Sequence, residues 1–230
     1  MNEMIKMDEY TYRLENGFVR CFLVIGKDKA MWMDSGASPV DLMSIAKEYT
    51  DLPIELMNTH GDGDHVGNNG LFNKCYMDIK DYEGCHVKER FSDCACIPLE
   101  DGQVIDLGER ELEIITIPGH TKGSVAILDK KYRRLFAGDS VQKGNIFLFG
   151  NHRCPETFEE ALKKLMTRLD DFDEVVASHD EPVLPKESVG LVLESWNKVL
   201  NKEVTGVVEN VHGNEIMSYT TDYCGFYCEN

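Results

Sequence analysis

The segment Asn58-Thr59-His60-Gly61-Asp62-Gly63-Asp64-His65-Val66-Gly67-Asn68-Asn69 constrains this chain more than any other stretch. Four metal-capable side chains, His60, Asp62, Asp64 and His65, fall within six residues, directly after an apolar run, Ile54–Met57, that reads as a short strand. Glycines at 61, 63 and 67 let the backbone fold tightly enough for those side chains to converge. Imidazole and carboxylate together suit zinc, iron or manganese. A lone histidine is usually structural, but this density points to a metal.

Three later positions repeat one grammar, an apolar strand closed by a small residue and then a ligand-type side chain. They are Ile115-Thr116-Ile117-Pro118-Gly119-His120, Leu135-Phe136-Ala137-Gly138-Asp139 and Val175-Val176-Ala177-Ser178-His179. Each side chain then stands at a strand's exit, where a rigid sheet can aim it into a shared cleft.

The remaining pattern alternates strands and helices. Phe18–Ile25 and Ala30–Met33 flank a polar turn and read as a hairpin, followed by a helix over 39–50. Residues 111–117, 124–128, 135–137 and 175–177 read as strands. Apolar stripes at helical spacing predict helices over 156–169, with a Thr157-x-x-Glu160 capping box, and over 186–202. Strand pairs with helices set between them predict an α/β sandwich of sheets covered by outer helices. No linker divides the chain, so 1–230 reads as one domain with 204–230 a short, poorly patterned C-terminal extension.

The order H-x-D-x-D-H, P-G-H-T, G-D-S and S-H, preceded by Met33-Asp34-Ser35-Gly36, resembles the metallo-β-lactamase-fold metallo-hydrolase superfamily over about residues 15–185. The resemblance implies a four-layer αβ/βα sandwich with a two-metal cleft at the sheet edges. It implies that His60, Asp62 and His120 hold one ion, that Asp64, His65 and His179 hold another, and that Asp139 bridges them. Asp34 would support the site without ligating. The superfamily usually has histidine where this chain has Asp62. The aspartate makes both sites oxygen-richer and brings iron or manganese into consideration beside zinc, the leading expectation.

The implied reaction is hydrolysis of a small thioester, lactone or other ester by a metal-bridging hydroxide, with Asp64 orienting it and passing its proton on. Two alternatives remain open on the sequence: an iron-dependent oxygenase or other redox enzyme on the same fold, and a low-turnover metabolite-binding sensor. Lys143, His152 and Arg153 follow Asp139 in a stretch that can wall the cleft and meet an anionic group. Residues 78–100 can face them, with Tyr82 and Phe91 as apolar contacts. His86 and His212 read as plain histidines.

Charge narrows the partners. With 41 Asp+Glu against 24 Lys+Arg, the net charge is −17, which disfavours nucleic acid and anionic membranes. A small molecule is the expected partner, and the oligomeric state stays open. No membrane span and no secretory pattern is visible, so a cytoplasmic location is expected. The eight cysteines show no regular spacing and read as free thiols, not as a structural zinc site.

Overall fold

A computed structural model describes residues 2–230. The first sheet is formed in chain order by β1 (Asn2–Asp8), β2 (Thr11–Asn16), β3 (Val19–Ile25), β4 (Ala30–Met33), β5 (Ile54–Met57), β6 (Lys74–Met77) and β7 (Ala95–Pro98). Strands β1 to β4 meander antiparallel, and β4 to β7 run parallel. Parallel neighbours need crossovers. The helix α1 (Leu42–Lys47) lies between β4 and β5, and α2 (Ile79–Gly84) and α3 (Val87–Arg90) lie between β6 and β7.

Next along the chain come β8 (Val104–Asp106), β9 (Glu111–Thr116), β10 (Val125–Asp129), β11 (Arg134–Phe136), β12 (Asn145–Leu148) and α4 (Pro155–Met166). They are followed by β13 (Glu174–Val176), β14 (Val183–Pro185), α5 (Ser188–Leu200), β15 (Val207–Val211), β16 (Asn214–Thr220) and β17 (Gly225–Glu229). The second sheet has the order β14-β13-β11-β10-β9-β8, and a third has the order β12-β17-β16-β15.

Period-2 alternation sorts the strand residues into layers. In β4, Met31 and Met33 face inward with Phe22 and Val24, and they meet Leu112, Ile114, Val125 and Ile127 of the second sheet. Trp32 points the other way, with Leu23 and Leu56, onto Leu42, Ala46, Tyr82 and Val87 of the helices. The outer face of the second sheet buries Ala126 and Leu128 against Phe158, Leu162, Val192 and Trp196 of α4 and α5. The result is the expected αβ/βα sandwich. Among the described residues no helix is long and apolar enough to cross a membrane.

Several elements differ from the sequence reading. Helix α1 is shorter than 39–50, because Asp41 caps it by accepting a hydrogen bond from the Ser44 amide (3.0 Å). Helix α4 starts at Pro155, which suits the first helical position, so Thr157 lies inside the first turn. Its hydroxyl donates to the Cys154 carbonyl (2.9 Å), and the expected capping box does not form. Strands β1 and β2 went unread, because their apolar residues alternate with charged ones and make no continuous run. The 204–230 stretch, poorly patterned in sequence, supplies three strands of the third sheet. Its Phe226 is buried in the same core as Ile146 and Leu148.

The two large sheets are clamped at the end of β9 by Arg110, which is 1% exposed. Its guanidinium donates to Asp129 Oδ2 (3.0 Å) beside it and to the carbonyls of Tyr10 (2.9 Å) and Ile25 (3.0 Å) in the first sheet. Removing the carboxylate leaves a buried charge without its counter-ion. Asp129→Ala should therefore cost about 3–5 kcal/mol of stability. Urea unfolding measures it, and a loss below about 1 kcal/mol would show that the clamp contributes little.

Candidate metal centre

All the candidate ligands leave the sheets at one end. Asp34 follows β4, the 58–69 segment follows β5, and His120, Asp139 and His179 follow β9, β11 and β13. The loop geometry depends on glycine at two points. A Cβ on Gly67 would lie 2.4 Å from the Gly36 carbonyl, which the Gly67 amide approaches to 2.8 Å. Gly138 has φ +53° in the turn that aims Asp139. Side chains complete the loop: Asn58 donates to the His65 carbonyl (2.9 Å), and Asn69 donates to Asn58 (2.9 Å).

Each histidine is held at Nδ1 by an acceptor. His65 donates to Asp34 Oδ2 (2.8 Å), His120 to the Phe147 carbonyl (2.9 Å) and His179 to the Phe18 carbonyl (2.8 Å). Thr59 Oγ1 gives its own hydrogen to Asp34 Oδ2 (2.8 Å) and so accepts from His60 Nδ1 (2.9 Å). This commits each Nδ1 outward and turns each Nε2 to the centre, where a bound cation would take its lone pair. The Nε2 atoms then face each other in two pairs, His60 with His120 at 3.2 Å and His65 with His179 at 3.4 Å.

Carboxylates close both pairs. Asp139 Oδ2 lies 3.7 Å from His120 Nε2 and 3.2 Å from His179 Nε2, while Oδ1 lies 3.3 Å from His65 Nε2. Asp64 Oδ2 stands 3.3 Å from His179 Nε2, and Asp62 Oδ2 stands 3.3 Å from His120 Nε2. Such separations match the edges of a tetrahedron around an ion with bonds of about 2.0–2.2 Å. Asp139 Oδ1 is buried without a hydrogen-bond donor. Opposed lone pairs and an orphaned carboxylate oxygen are what a divalent cation satisfies, so the donor set fits a metal.

The electrostatics agree. Burial by itself favours neutral His179, yet Asp139 and Asp64 overcome it and raise the imidazole to about 10. His65 is raised in the same way, against burial, by Asp139 and Asp34. Burial would raise Asp139, but His65 and His179 hold it well below the usual carboxylate range. The cluster is thus a concentrated anionic site that gathers positive charge. His120 behaves oppositely: burial and then the Arg153 charge lower it to about 4, so its Nε2 stays unprotonated, facing the centre with Arg153 Nη1 3.2 Å away.

Arg153 lines the cleft, as the sequence reading expected. Instead of reaching for a substrate anion it grips Asp62 with both terminal nitrogens, Nη1 to Oδ1 at 3.0 Å and Nη2 to Oδ2 at 2.6 Å. His152 Nε2 also lies 3.2 Å from Asp62 Oδ1. Lys143 pairs with Glu181 and does not line the cleft. Tyr82 is buried, donating to the Cys94 carbonyl (2.8 Å), and Phe91 packs on the same outer core; neither reaches the cleft. His212, read as a plain histidine, does line it.

Asp81 escaped the sequence reading altogether. It is fully buried and accepts from the Gly61 amide (2.8 Å), the Gly123 amide (2.7 Å) and the Thr121 hydroxyl (2.6 Å). It thereby fastens the His60 loop to the His120 loop. No local pattern around Asp81 announces this. All eight cysteines are free thiols. Cys85 lies beside Asp62 and His152, but burial and then Asp81 push its thiol well up, against the thiolate that a metal would need.

With this geometry in place, comparisons with known proteins are informative. A model of the metallo-beta-lactamase superfamily matches residues 97–202. A hydroxyacylglutathione hydrolase of Methylococcus capsulatus is 33% identical over 119 residues, which is 50% of this chain and 42% of that protein. The acyl-coenzyme A thioesterase MBLAC2 of Homo sapiens is 46% identical over 48 residues, or 21% of this chain and 17% of that protein. The chain therefore spans less than half the length of either. A beta-lactamase domain protein from Burkholderia ambifaria superposes with a TM-score of 0.71 at 17% identity, covering 87% of this chain and 74% of its own, a likeness of fold.

The role of Asp34 behind His65 is testable through metal affinity. Asp34 sits at φ +61°, which asparagine also tolerates, so Asp34→Asn keeps the backbone and removes the carboxylate. Metal affinity in chelator competition should fall about 10–100-fold. An unchanged affinity would mean that Asp34 serves the turn and not the metal.

Proposed function

We propose that this chain is a metallo-β-lactamase-fold hydrolase that cleaves a small thioester at a centre of two divalent ions, zinc being the ion proposed. The observation that carries this reading is the convergence of four histidine Nε2 atoms and three carboxylates on the floor of an open cleft. His60, Asp62 and His120 would hold one ion, Asp64, His65 and His179 the other, and Asp139 would be shared. Divalent ions so placed supply Lewis acidity to a substrate carbonyl and make a water acidic enough to ionise near neutral pH.

The chain's own residues do the positioning. Asp64 is the proposed base. Burial would raise its carboxyl, but His65 and His179 hold it below the usual range, so it is ionised at neutral pH. It would orient the attacking water and accept its hydrogen as the new C–O bond forms. The C–S bond then breaks, and the sulfur leaves as a thiolate or receives from Asp64 the proton that came from the water. A thiol with a pKa near about 8.5 is a good leaving group without a dedicated acid. This chemistry favours a thioester over an amide, and the relatives named as a hydroxyacylglutathione hydrolase and an acyl-coenzyme A thioesterase support it.

Asp62 makes the sites oxygen-richer, which admits an iron-dependent redox centre as a second reading, and it adds a negative charge to the first site. The Arg153 guanidinium offsets that charge at contact distance, so the pair adds no net charge. The charge of Asp62 therefore adds no reason to turn from hydrolysis to oxygen chemistry, while its oxygen donors still admit iron.

Elemental analysis of protein purified without added metal should find close to two ions per chain. Chelation should abolish hydrolysis of acyl-N-acetylcysteamine, and zinc should restore it. Asp64→Asn should lower kcat by about 10²–10⁴-fold. Fewer than about 0.2 ions per chain, with no activity after metal addition, would defeat the proposal.

A further inference from the structure

The cleft above the metal centre, about 1280 Å³, has a chemical character of its own. One wall is aromatic and comes from the third sheet. In β12 the side chains of Ile146 and Leu148 enter the core, so Phe147 and Phe149 share the opposite face, toward the cleft. Parallel pairing sets Tyr227 of β17 beside Phe147, with ring centroids 5.0 Å apart at 88°. Phe149 and His212 stack near the same ring, at 5.7 Å and 6.0 Å. The wall is joined to the metal centre through the backbone, since the Phe147 carbonyl is the acceptor that orients His120. Across the cleft stands Phe18, 70% exposed, its ring stacked at 5.9 Å on His179.

The charges follow a second pattern. Among the described residues that line the cleft, the one lysine or arginine is Arg153, and Asp62 occupies both of its terminal nitrogens. The outer lining adds three acids beyond the candidate ligands: Asp180, Glu215 and Glu229. Glu229 is fixed in place by the Gly150 amide (2.8 Å). A polyanionic substrate tail would therefore meet an acidic rim and find no arginine or lysine to pair with. A bound anion needs such a partner to repay its lost hydration.

We infer that the part of the substrate lying against Phe147, Phe149 and Tyr227 is an uncharged or cationic, apolar group, aryl or acyl. The substrate is then a neutral or cationic thioester, not one of glutathione or coenzyme A. This rests on the thioester reading above for the reaction, but the binding preference is measurable without turnover.

The experiment uses the metal-loaded protein and three thioethers that share one S-benzyl group and cannot be hydrolysed. They are S-benzyl-N-acetylcysteamine, which is neutral, S-benzylglutathione, which is anionic, and S-benzyl-coenzyme A, which is polyanionic. Calorimetry at low salt should show the neutral compound binding at least about tenfold tighter than the polyanion, with the gap narrowing as salt screens the rim. Glu215→Lys combined with Glu229→Lys should shrink that gap. Phe149→Ala should weaken the neutral compound about two- to tenfold at unchanged metal content. Equal or tighter binding of either anionic thioether, or no binding of any of the three, would overturn the inference. Hydrolysis of benzoyl-N-acetylcysteamine is followed on the same sample. Its absence beside the expected binding order would overturn the thioesterase reading and leave the specificity of the cleft standing.

Discussion

The candidate centre depends on one repeated interaction, the hydrogen bond that each imidazole makes through Nδ1. The acceptors are Asp34 after β4, Thr59 after β5, the Phe147 carbonyl in β12 and the Phe18 carbonyl beside β3. An imidazole presents a lone pair at Nε2 only when its proton is kept at Nδ1. Four such commitments turn four Nε2 atoms inward, and the three carboxylates then have something to share. Because the acceptors sit on the first sheet and the third while His120 and His179 follow strands of the second, the sandwich has to close before the donor set exists. Arg110, which bonds the first sheet's carbonyls from the second, belongs to the same requirement.

Arg153 shows how a neighbouring charge can alter what a ligand does. A carboxylate at position 62 in isolation would make the first site more anionic than a three-histidine site. With a guanidinium at 2.6 Å the pair is formally neutral, and His120 beside it is kept unprotonated. The arginine that offered an anion contact to a substrate is thereby engaged, and the acidic rim acquires a meaning. The same side chain thus tunes the site and withdraws a positive charge from the cleft.

Much of the sandwich was legible in the sequence because its determinants are local. Buried strands such as β3 announce themselves by apolar runs, here residues 21–25, and α5 by its stripe of Val189, Val192 and Trp196. The elements that escaped are those whose pattern is diluted or overridden. Strands β1 and β2 mix charge with apolar residues, and Pro155 displaces the start of α4 ahead of the Thr157 box.

For the site the division is sharper. Ligand-type residues placed directly after strands, with glycines between them, are a short-range pattern, and His60, Asp62, Asp64, His65, His120, Asp139 and His179 could be named from it. Partnership across the chain is not short-range. Asp81 fastens two loops from 20 and 40 residues away, and Arg153 reaches Asp62 across 91. His212 and Tyr227 reach the cleft because β17 pairs in parallel with β12. The sequence by itself determined which groups are candidates to carry the chemistry, since that is a matter of residue type and order along a strand end. Only the tertiary structure decided which charges neutralise one another and what walls the cleft, because both depend on contacts between segments far apart in the chain.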